Sequence, residues 1–505
     1  MEFHLLLLPL ISAFLFYFLL QGHRKREERR QLLPPGPPGI PFIGNLHQLM
    51  KYSTAPHLYL YQLSKKYGPL MSLRLGLVPL LVISSAKMAK EALKTHDLTF
   101  SGRPSMFGQQ KLTYNGSGVI FAQYGGYWRE IRKFCVLHLL STKRVQSFRP
   151  VHEEEVLAFV NKISTFSSPK REVNLSEMVT SLTNNIICRI AFGKRYDGKG
   201  GRNSFHELLN EAEVLASSFY VSDYFPFMGW VDKLTGLCVR LDKNFRELDV
   251  IFQEIIDEHL DPKRSRTERE DFVDILLRMR SDQLFTTDLT LEQIKALILD
   301  VFVAGTDTSA GTIVWAMTEL MKNPRVMKTA QEEVRSLIKE DFVDEDDLPK
   351  LTYLKAVVKE TMRVHPISPL LVPRETIDKC TIDGYEIQPK TIVYLNVWAI
   401  GRDPESWEKS EEFLPERFLG SSIDFKGQDF ELIPFGAGRR GCPGVHLGAK
   451  TIELTLANLL YSFDWDLPNG MKEEDVDTEG IPGIAVHKKV PLCLLAKKYL
   501  VPMSR

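Results

Sequence analysis

Ten contiguous residues, Phe435 to Gly444, set one cysteine among glycines, two arginines and a proline: Phe-Gly-Ala-Gly-Arg-Arg-Gly-Cys-Pro-Gly. A cysteine acts as a metal ligand or nucleophile through its thiolate, so its surroundings must favour the charged form. Pro443 suits the first position of a helix, where its missing N–H leaves no bond unmade, and this predicts a helix starting at Cys442. The amides and positive dipole end of that helix, together with Arg439 and Arg440, are then expected to lower the thiol pKa. Gly436, Gly438, Gly441 and Gly444 permit tight turns and the close approach of a large planar ligand, beside which Phe435 packs. The same glycines satisfy the Gly-x-Gly-x-x-Gly dinucleotide fingerprint over 436–441, with Asp464 about 20 residues on as the acid for a ribose. Pro434 and the Cys442-Pro443 pair interrupt the strand-turn-helix this fingerprint requires. A buried free cysteine in a Gly-rich turn is the plain alternative, and it leaves both arginines unexplained.

Other residues with chemical potential lie upstream. Leu291 to Met321 reads as a long apolar helix carrying Ala304-Gly305-Thr306-Asp307-Thr308-Ser309 at its middle. The Thr308 hydroxyl reaches the carbonyl of Ala304 one turn back, a bond that bends helices and opens a local groove; taken alone, this is a kink. Asp300, four residues before Ala304, shares its face and either orients a polar substrate group or pairs with a basic neighbour. Glu360 and Arg363 are three apart on a helix and can pair. Trp128 and Arg132 share one helical face, which by itself describes a surface cation–π pair. Arg374 stands in Val372-Pro-Arg-Glu-Thr376 and Arg417 in Pro415-Glu-Arg-Phe418.

The spacing Phe435-x-x-Gly438-x-Arg440-x-Cys442-x-Gly444 resembles the haem-binding signature of the cytochrome P-450 superfamily. The order of motifs along the chain is similar to that of membrane-bound A-type plant members of the family 71 group. This resemblance implies a mainly α fold with small β-sheets, a single catalytic domain behind an N-terminal transmembrane anchor, and haem b as cofactor. It implies that Cys442 is the metal ligand, its thiolate favouring O–O cleavage, and that Arg440, Trp128, Arg132 and Arg374 hold the haem propionates. Phe435 and Gly444 then belong to the haem-binding loop. Ala304 and Gly305 keep the helix face thin over the iron, Thr308 and Asp307 relay protons as the catalytic pair, and Glu360, Arg363 and Arg417 form a structural triad. The implied activity is NADPH- and O2-dependent oxidation of a low-polarity, specialised plant metabolite, with electrons from an NADPH-cytochrome P-450 reductase. A haem-thiolate dehydratase or isomerase would need no reductase and would leave Asp307 and Thr308 idle; a nucleotide-binding module would be colourless. Substrate contacts are expected from 100–121, 205–230, 297–304, 367–372 and 483–486. The aromatics of the second segment, Phe219, Tyr220, Tyr224, Phe225, Phe227 and Trp230, line an entrance or lie on a membrane surface.

Of the elements that must position these residues, β-like runs at Met71–Leu75 and Pro79–Ile83 stand among longer helical periodicities, including Leu291–Met321, Pro324–Ile338 and Leu351–Val364. The charged stretch Asp261–Asp271 reads as a solvated loop. Over 505 residues, 64 Lys and Arg balance 64 Asp and Glu, which argues against a nucleic-acid partner. Six scattered cysteines without a Cys-x-x-Cys suit a reducing compartment. The apolar run from Phe3 to Leu20 is long enough to span a bilayer. Arg24, Lys25, Arg26, Arg29 and Arg30 follow it, and positive charge after the run keeps the body cytosolic and favours an anchor over a cleaved peptide. The reading is therefore a transmembrane anchor over 1–22, a basic flank and proline-rich hinge over 23–41, and a catalytic domain over 42–505; the resemblance implies that the membrane is that of the endoplasmic reticulum.

Overall fold

The computed structural model describes residues 33–166, 171–195, 205–264, 270–282, 289–468, 470–481 and 483–500. The anchor segment and the basic flank as far as residue 32 lie outside the described residues. From Leu33 the proline-rich stretch runs along the body: the Pro35 carbonyl accepts the Ser72 amide at 2.9 Å and the Pro37 carbonyl accepts Asn45 Nδ2 at 3.2 Å. A proline run can pair only through its carbonyls. Gly36 is required there, since a Cβ would lie 1.9 Å from the Ser72 oxygen.

Strands β1 (Leu70–Leu75) and β2 (Val78–Ile83) form an antiparallel hairpin with Leu70 opposite Ile83. β3 (Arg374–Glu375) and β4 (Ile392–Leu395) complete a sheet of order β1-β2-β4-β3, in which β2 and β4 are parallel. Leu80 to Ile83 are buried without alternation, as a strand covered on both faces requires. The sheet matters to the site because β3 starts at Arg374 and fixes where that side chain leaves the backbone.

The helices that carry the site are α1 (Phe107–Leu112), α2 (Gly126–Phe134), α3 (Leu175–Phe192), α4 (Phe205–Ser217), α5 (Leu291–Lys322), α6 (Pro324–Leu337), α7 (Thr352–Val364) and α8 (Val445–Ser462). α5 starts at a capping box in which Gln293 N donates to Thr290 Oγ1 at 3.2 Å and Thr290 N to Gln293 Oε1 at 2.9 Å. Pro324, at the first position of α6, cannot continue α5 and ends it. By length and composition α5 could cross a membrane, yet it is largely buried, packed by α3, α8 and α7. It is the core helix of the molecule.

Two expectations are corrected here. Asp464 lies on β5 (Phe463–Asp466) and pairs with Arg335 at 2.8 Å, while Gly438–Arg440 form a 3-10 turn after a turn rather than a strand; the ribose-binding reading is overturned. The charged stretch after Asp261 is not wholly solvated, because Asp271 is buried, caps the helix Phe272–Ser281 and receives Arg264 at 2.8 Å. Further on, β6 (Gly480–Ile481) and β7 (His487–Lys488) make a short antiparallel ribbon that packs on α5.

Candidate functional site

The cysteine loop is held by its own backbone. Cys442 N donates to the Phe435 carbonyl at 2.8 Å and Gly441 N to the Gly438 carbonyl at 3.0 Å. Gly438 has φ of 68° and its missing Cβ would lie 2.5 Å from both Asp97 Oδ1 and the Leu93 carbonyl, so no other residue fits. The helix starts three residues later than expected: α8 begins at Val445 with Gly444 as its cap, and Cys442-Pro443 belong to the preceding turn. The sulfur therefore stands ahead of the helix end and opens into an internal cavity. Its surface is accessible only in the sense that it faces this cavity, deep within the protein. Burial pushes the thiol above its usual range, outweighing the Gly444 amide and the Arg132 charge, which pull it down. The expected lowering does not hold for the free thiol; a metal cation at the sulfur reverses that order.

Phe435, Gly436, Gly441 and Gly444 line the same cavity, and Phe425 packs on Phe435 with ring centroids 5.4 Å apart. Arg132, Arg374 and Arg440 also line it, joined by Arg103, which sequence reasoning missed. All four guanidinium groups are bonded to carbonyl oxygens. Arg132 Nη2 donates to Gly441 at 2.5 Å and Arg374 Nη2 to Ala437 at 2.8 Å. Arg440 donates to Ser101 at 2.7 Å and Ala122 at 2.6 Å, and Arg103 to Ile120 at 2.9 Å and to Val372 and Pro373 at 2.7 Å. Burial first, then mutual repulsion, pushes Arg440 down to about 9. Burial pushes Arg374 to about 10 and Arg103 well below its ordinary value. Carbonyl dipoles do not neutralise four positive charges, and buried charges persist when opposite charge answers them. The cluster thus fits a cofactor with two carboxylates, such as haem. Trp128 donates Nε1 to the Val119 carbonyl at 3.0 Å and stacks under Arg440 at 4.1 Å rather than pairing with Arg132.

On α5, Thr308 Oγ1 donates to the Ala304 carbonyl at 2.6 Å, as the spacing predicted, and both residues line the cavity. The helix runs on unbroken. Gly305 gives its backbone to the cavity, but a Cβ there would meet Ile187 Cδ1 at 2.6 Å; tight packing on α3 is what demands glycine. Asp307 points elsewhere, toward Glu213 and His487.

Asp300 turns out to clamp a loop. It is 4% exposed and accepts the Ile120 amide at 3.1 Å, with the Val119 amide and the Arg103 charge also favouring its carboxylate. Gly118 leaves room for it, since a Cβ would lie 2.3 Å from Oδ2. The carbonyls of Val119, Ile120 and Ala122 face the arginines, so Asp300 sets one side of the loop that positions the other. Burial raises Asp300 to about 7, against ~4 when unfolded. A folded-state pKa above the unfolded one contributes stability that is full below ~4 and is lost as pH rises through about 7. The melting temperature of the Asp300→Asn protein is therefore expected to fall less than that of the wild type over this interval.

Glu360, Arg363 and Arg417 meet in a buried cluster: Arg363 Nε donates to Glu360 Oε2 at 2.7 Å, and Arg417 Nε to Oε1 at 3.1 Å. The five segments expected to touch substrate all reach the cavity, through Gln109 and Phe121, Ala212 and Glu213, Leu297 and Val301, Ile367 and Leu371, and Ile484 and Ala485. The aromatics of 219–230 do not line it. Phe227 and Trp230 are exposed at the surface.

The family model described as "Cytochrome P450" matches residues 34–494. The chain is 50% identical to "6,7,8-trihydroxycoumarin synthase" of Pastinaca sativa over 509 residues, covering 99% of each. It is 52% identical to "Cytochrome P450 71A9" of Glycine max over 500 residues, covering 97% of this chain and 99% of that one. A solved zebra fish cytochrome P450 with abiraterone matches with a TM-score of 0.73 at 25% identity, over 88% of this chain and 100% of the other.

Proposed function

The chain belongs to the cytochrome P-450 family, and from that premise we propose that Cys442 binds the haem iron through its thiolate and that the cavity beside it oxidises a low-polarity plant metabolite. The enzyme is a haem monooxygenase of plant specialised metabolism and a relative of family 71 members. The observation that carries the site assignment is one cavity lined at once by Cys442, by the buried Arg103, Arg374 and Arg440 with the half-buried Arg132, and by the Ala304–Thr308 turn.

Haem held there would supply the redox iron for dioxygen activation, the net reaction giving one oxygen atom to substrate and the other to water. The protein's part is to place and protonate. Arg103, Arg132, Arg374 and Arg440 bind the two carboxylates, and Phe435 packs beside the ring. Thr308 spends its hydrogen on the Ala304 carbonyl, which leaves Oγ1 as an acceptor able to fix a water with a proton directed onward. Asp307, the next residue, faces Glu213 and His487 rather than the cavity, so its part is to relay protons from that cluster toward the Thr308 turn. The rest of the wall is mostly apolar, which suits a substrate of low polarity, and the coumarin named for a relative supports an aromatic oxygen heterocycle.

Electrons come from NADPH through a cytochrome P-450 reductase. The apolar run over 3–20 with its basic flank anchors the chain in the endoplasmic reticulum membrane, the catalytic domain on the cytosolic side. Supporting this, the Tyr224 carbonyl accepts the Leu77 amide at 3.1 Å and the Ile43 carbonyl the Gly76 amide at 3.0 Å. These bonds bring the Ile43 and Tyr224 segments to the same β1–β2 turn, and Phe42, Phe227 and Trp230 in or beside those segments are 81%, 70% and 61% exposed.

A product screen in reductase-containing microsomes tests the reading. Product that forms equally well without reductase would mean a dehydratase or isomerase instead. Thr308→Ala is expected to keep its haem spectrum while the fraction of NADPH converted to product drops several-fold and hydrogen peroxide rises; unchanged coupling would remove Thr308 from proton delivery.

A further inference from the structure

The cavity wall holds an acidic side chain outside every motif of the sequence. Glu213, on α4, meets Asp307 of α5 and His487 of β7, with one polar atom from each lying within 4.8 Å of the others, and it hydrogen-bonds Asp307. Two carboxyl groups this close in a protein wall do not both ionise, because little water screens their repulsion. One proton must be held between them. The burial of Glu213 and the charge of Asp307 push Glu213 well above the usual carboxylate range, which favours its protonated form.

The arrangement is fixed from three directions. α4 packs on α5, and the ribbon carrying His487 is tied down by Trp315 Nε1 to the Val486 carbonyl at 3.0 Å and by Val486 N to the Ile367 carbonyl at 2.7 Å. Asp307 is 9% exposed, while Glu213 and His487 are less enclosed. Glu213 also lines the cavity, and Asp307 immediately precedes Thr308 on α5.

We propose that Glu213 is the proton store of the reaction, passing its proton to Asp307 for the water held at Thr308 and taking a new one from solvent through the His487 ring. This deepens the proton-delivery reading of Asp307 and Thr308 and rests on it. In each transfer the Glu213 O–H bond breaks, its electron pair stays on the carboxylate, and an O–H bond forms at an Asp307 oxygen. The His487 ring then hands a solvent proton on to Glu213, a nitrogen–hydrogen bond breaking as the Glu213 O–H bond re-forms, and no redox partner is needed. Acting through Asp307, Glu213 is a positioning residue.

The test uses the full-length, haem-loaded enzyme. Infrared spectra of protein with an isotope-labelled glutamate carboxyl should show a protonated-acid band at neutral pH that is missing from Glu213→Gln; absence of that band from the wild type overturns the proposal. Reductase-driven NADPH oxidation and peroxide release, which need no identified substrate, are then compared in light and heavy water. Glu213→Gln should keep the red-shifted carbon monoxide band, slow several-fold and show a larger solvent isotope effect, and Glu213→Asp should recover part of the rate. If Asp307→Asn and Thr308→Ala change the isotope effect and Glu213→Gln does not, the store is wrong and the Thr308 reading stands. If none of the three changes it, that reading fails as well. Should Glu213→Gln lose its haem, the wild-type infrared band and the Glu213→Asp kinetics decide the matter.

Discussion

Replacing Cys442 by serine is expected to abolish monooxygenation and to move the reduced, carbon monoxide-bound absorption band away from its red-shifted position. The reason is electronic more than steric. Serine keeps the loop geometry, since the Cys442 N to Phe435 carbonyl bond at 2.8 Å is made by backbone, and the fold of the loop depends on Gly438 rather than on residue 442. What changes is the atom proposed to ligate the iron. A thiolate pushes electron density onto the iron and favours O–O cleavage, whereas a serine hydroxyl in this cavity stays protonated. Burial already works against ionisation of the thiol at this position, and an alcohol, far weaker as an acid, has less chance. The variant should fold, because no packing partner is lost, and it should still be able to hold haem through its four arginines. A carbon monoxide band that stays red-shifted in Cys442→Ser would remove the sulfur from the iron and with it the site assignment.

What the amino-acid sequence made legible follows from how local each feature is. The ten residues around Cys442 are contiguous, so their glycines, arginines and cysteine could be read as one unit, and the Thr308 to Ala304 bond spans a single turn of helix. The helix start was misplaced by three residues because Pro443 is compatible with a first turn without requiring one; the loop instead closes through Gly441 and Gly444 before α8 begins. Gly305 was read for the space it leaves over the cofactor, while its Cβ position is claimed by Ile187, a residue from another helix that no local pattern reveals. Arg103 escaped for the same reason: its partners lie 17, 269 and 270 residues away. Glu213 stands in an amphipathic helix where one more acid draws no notice, and its meaning comes only from Asp307 across the interface. Helices and strands with strong periodicity were placed to within a residue or two, because burial of one face is a property of the segment itself. Long-range charge clusters are properties of the fold.

The buried triad shows how much can depend on such a cluster. Arg363→Ala is expected to prevent accumulation of folded, haem-containing protein. Glu360 is fully buried, and with Arg363 removed its carboxylate loses two charge-assisted bonds, at 2.7 and 2.8 Å. Arg417 remains at 3.1 Å, and the Leu414 amide at 2.7 Å. The same substitution strips donors from the carbonyls of Gly401, Ser410 and Glu412, which Arg363 now satisfies at 2.6, 2.6 and 2.9 Å. Breaking a buried ion pair on one side costs about 3–5 kcal/mol, a large part of the ~5–15 kcal/mol that stabilises a typical domain. Arg417→Ala should be milder, since Glu360 keeps Arg363 and the Arg417 side chain is 12% exposed, so water can replace part of what is lost. The order of effects, Arg363 well above Arg417, distinguishes a buried electrostatic core from a surface pair, where either change would be worth about 0–1 kcal/mol. Yield of carbon monoxide-binding protein and the melting temperature measure it. Near wild-type values for Arg363→Ala would mean that the segment from 401 to 417, which leads into the cysteine loop, is held by packing and not by this triad.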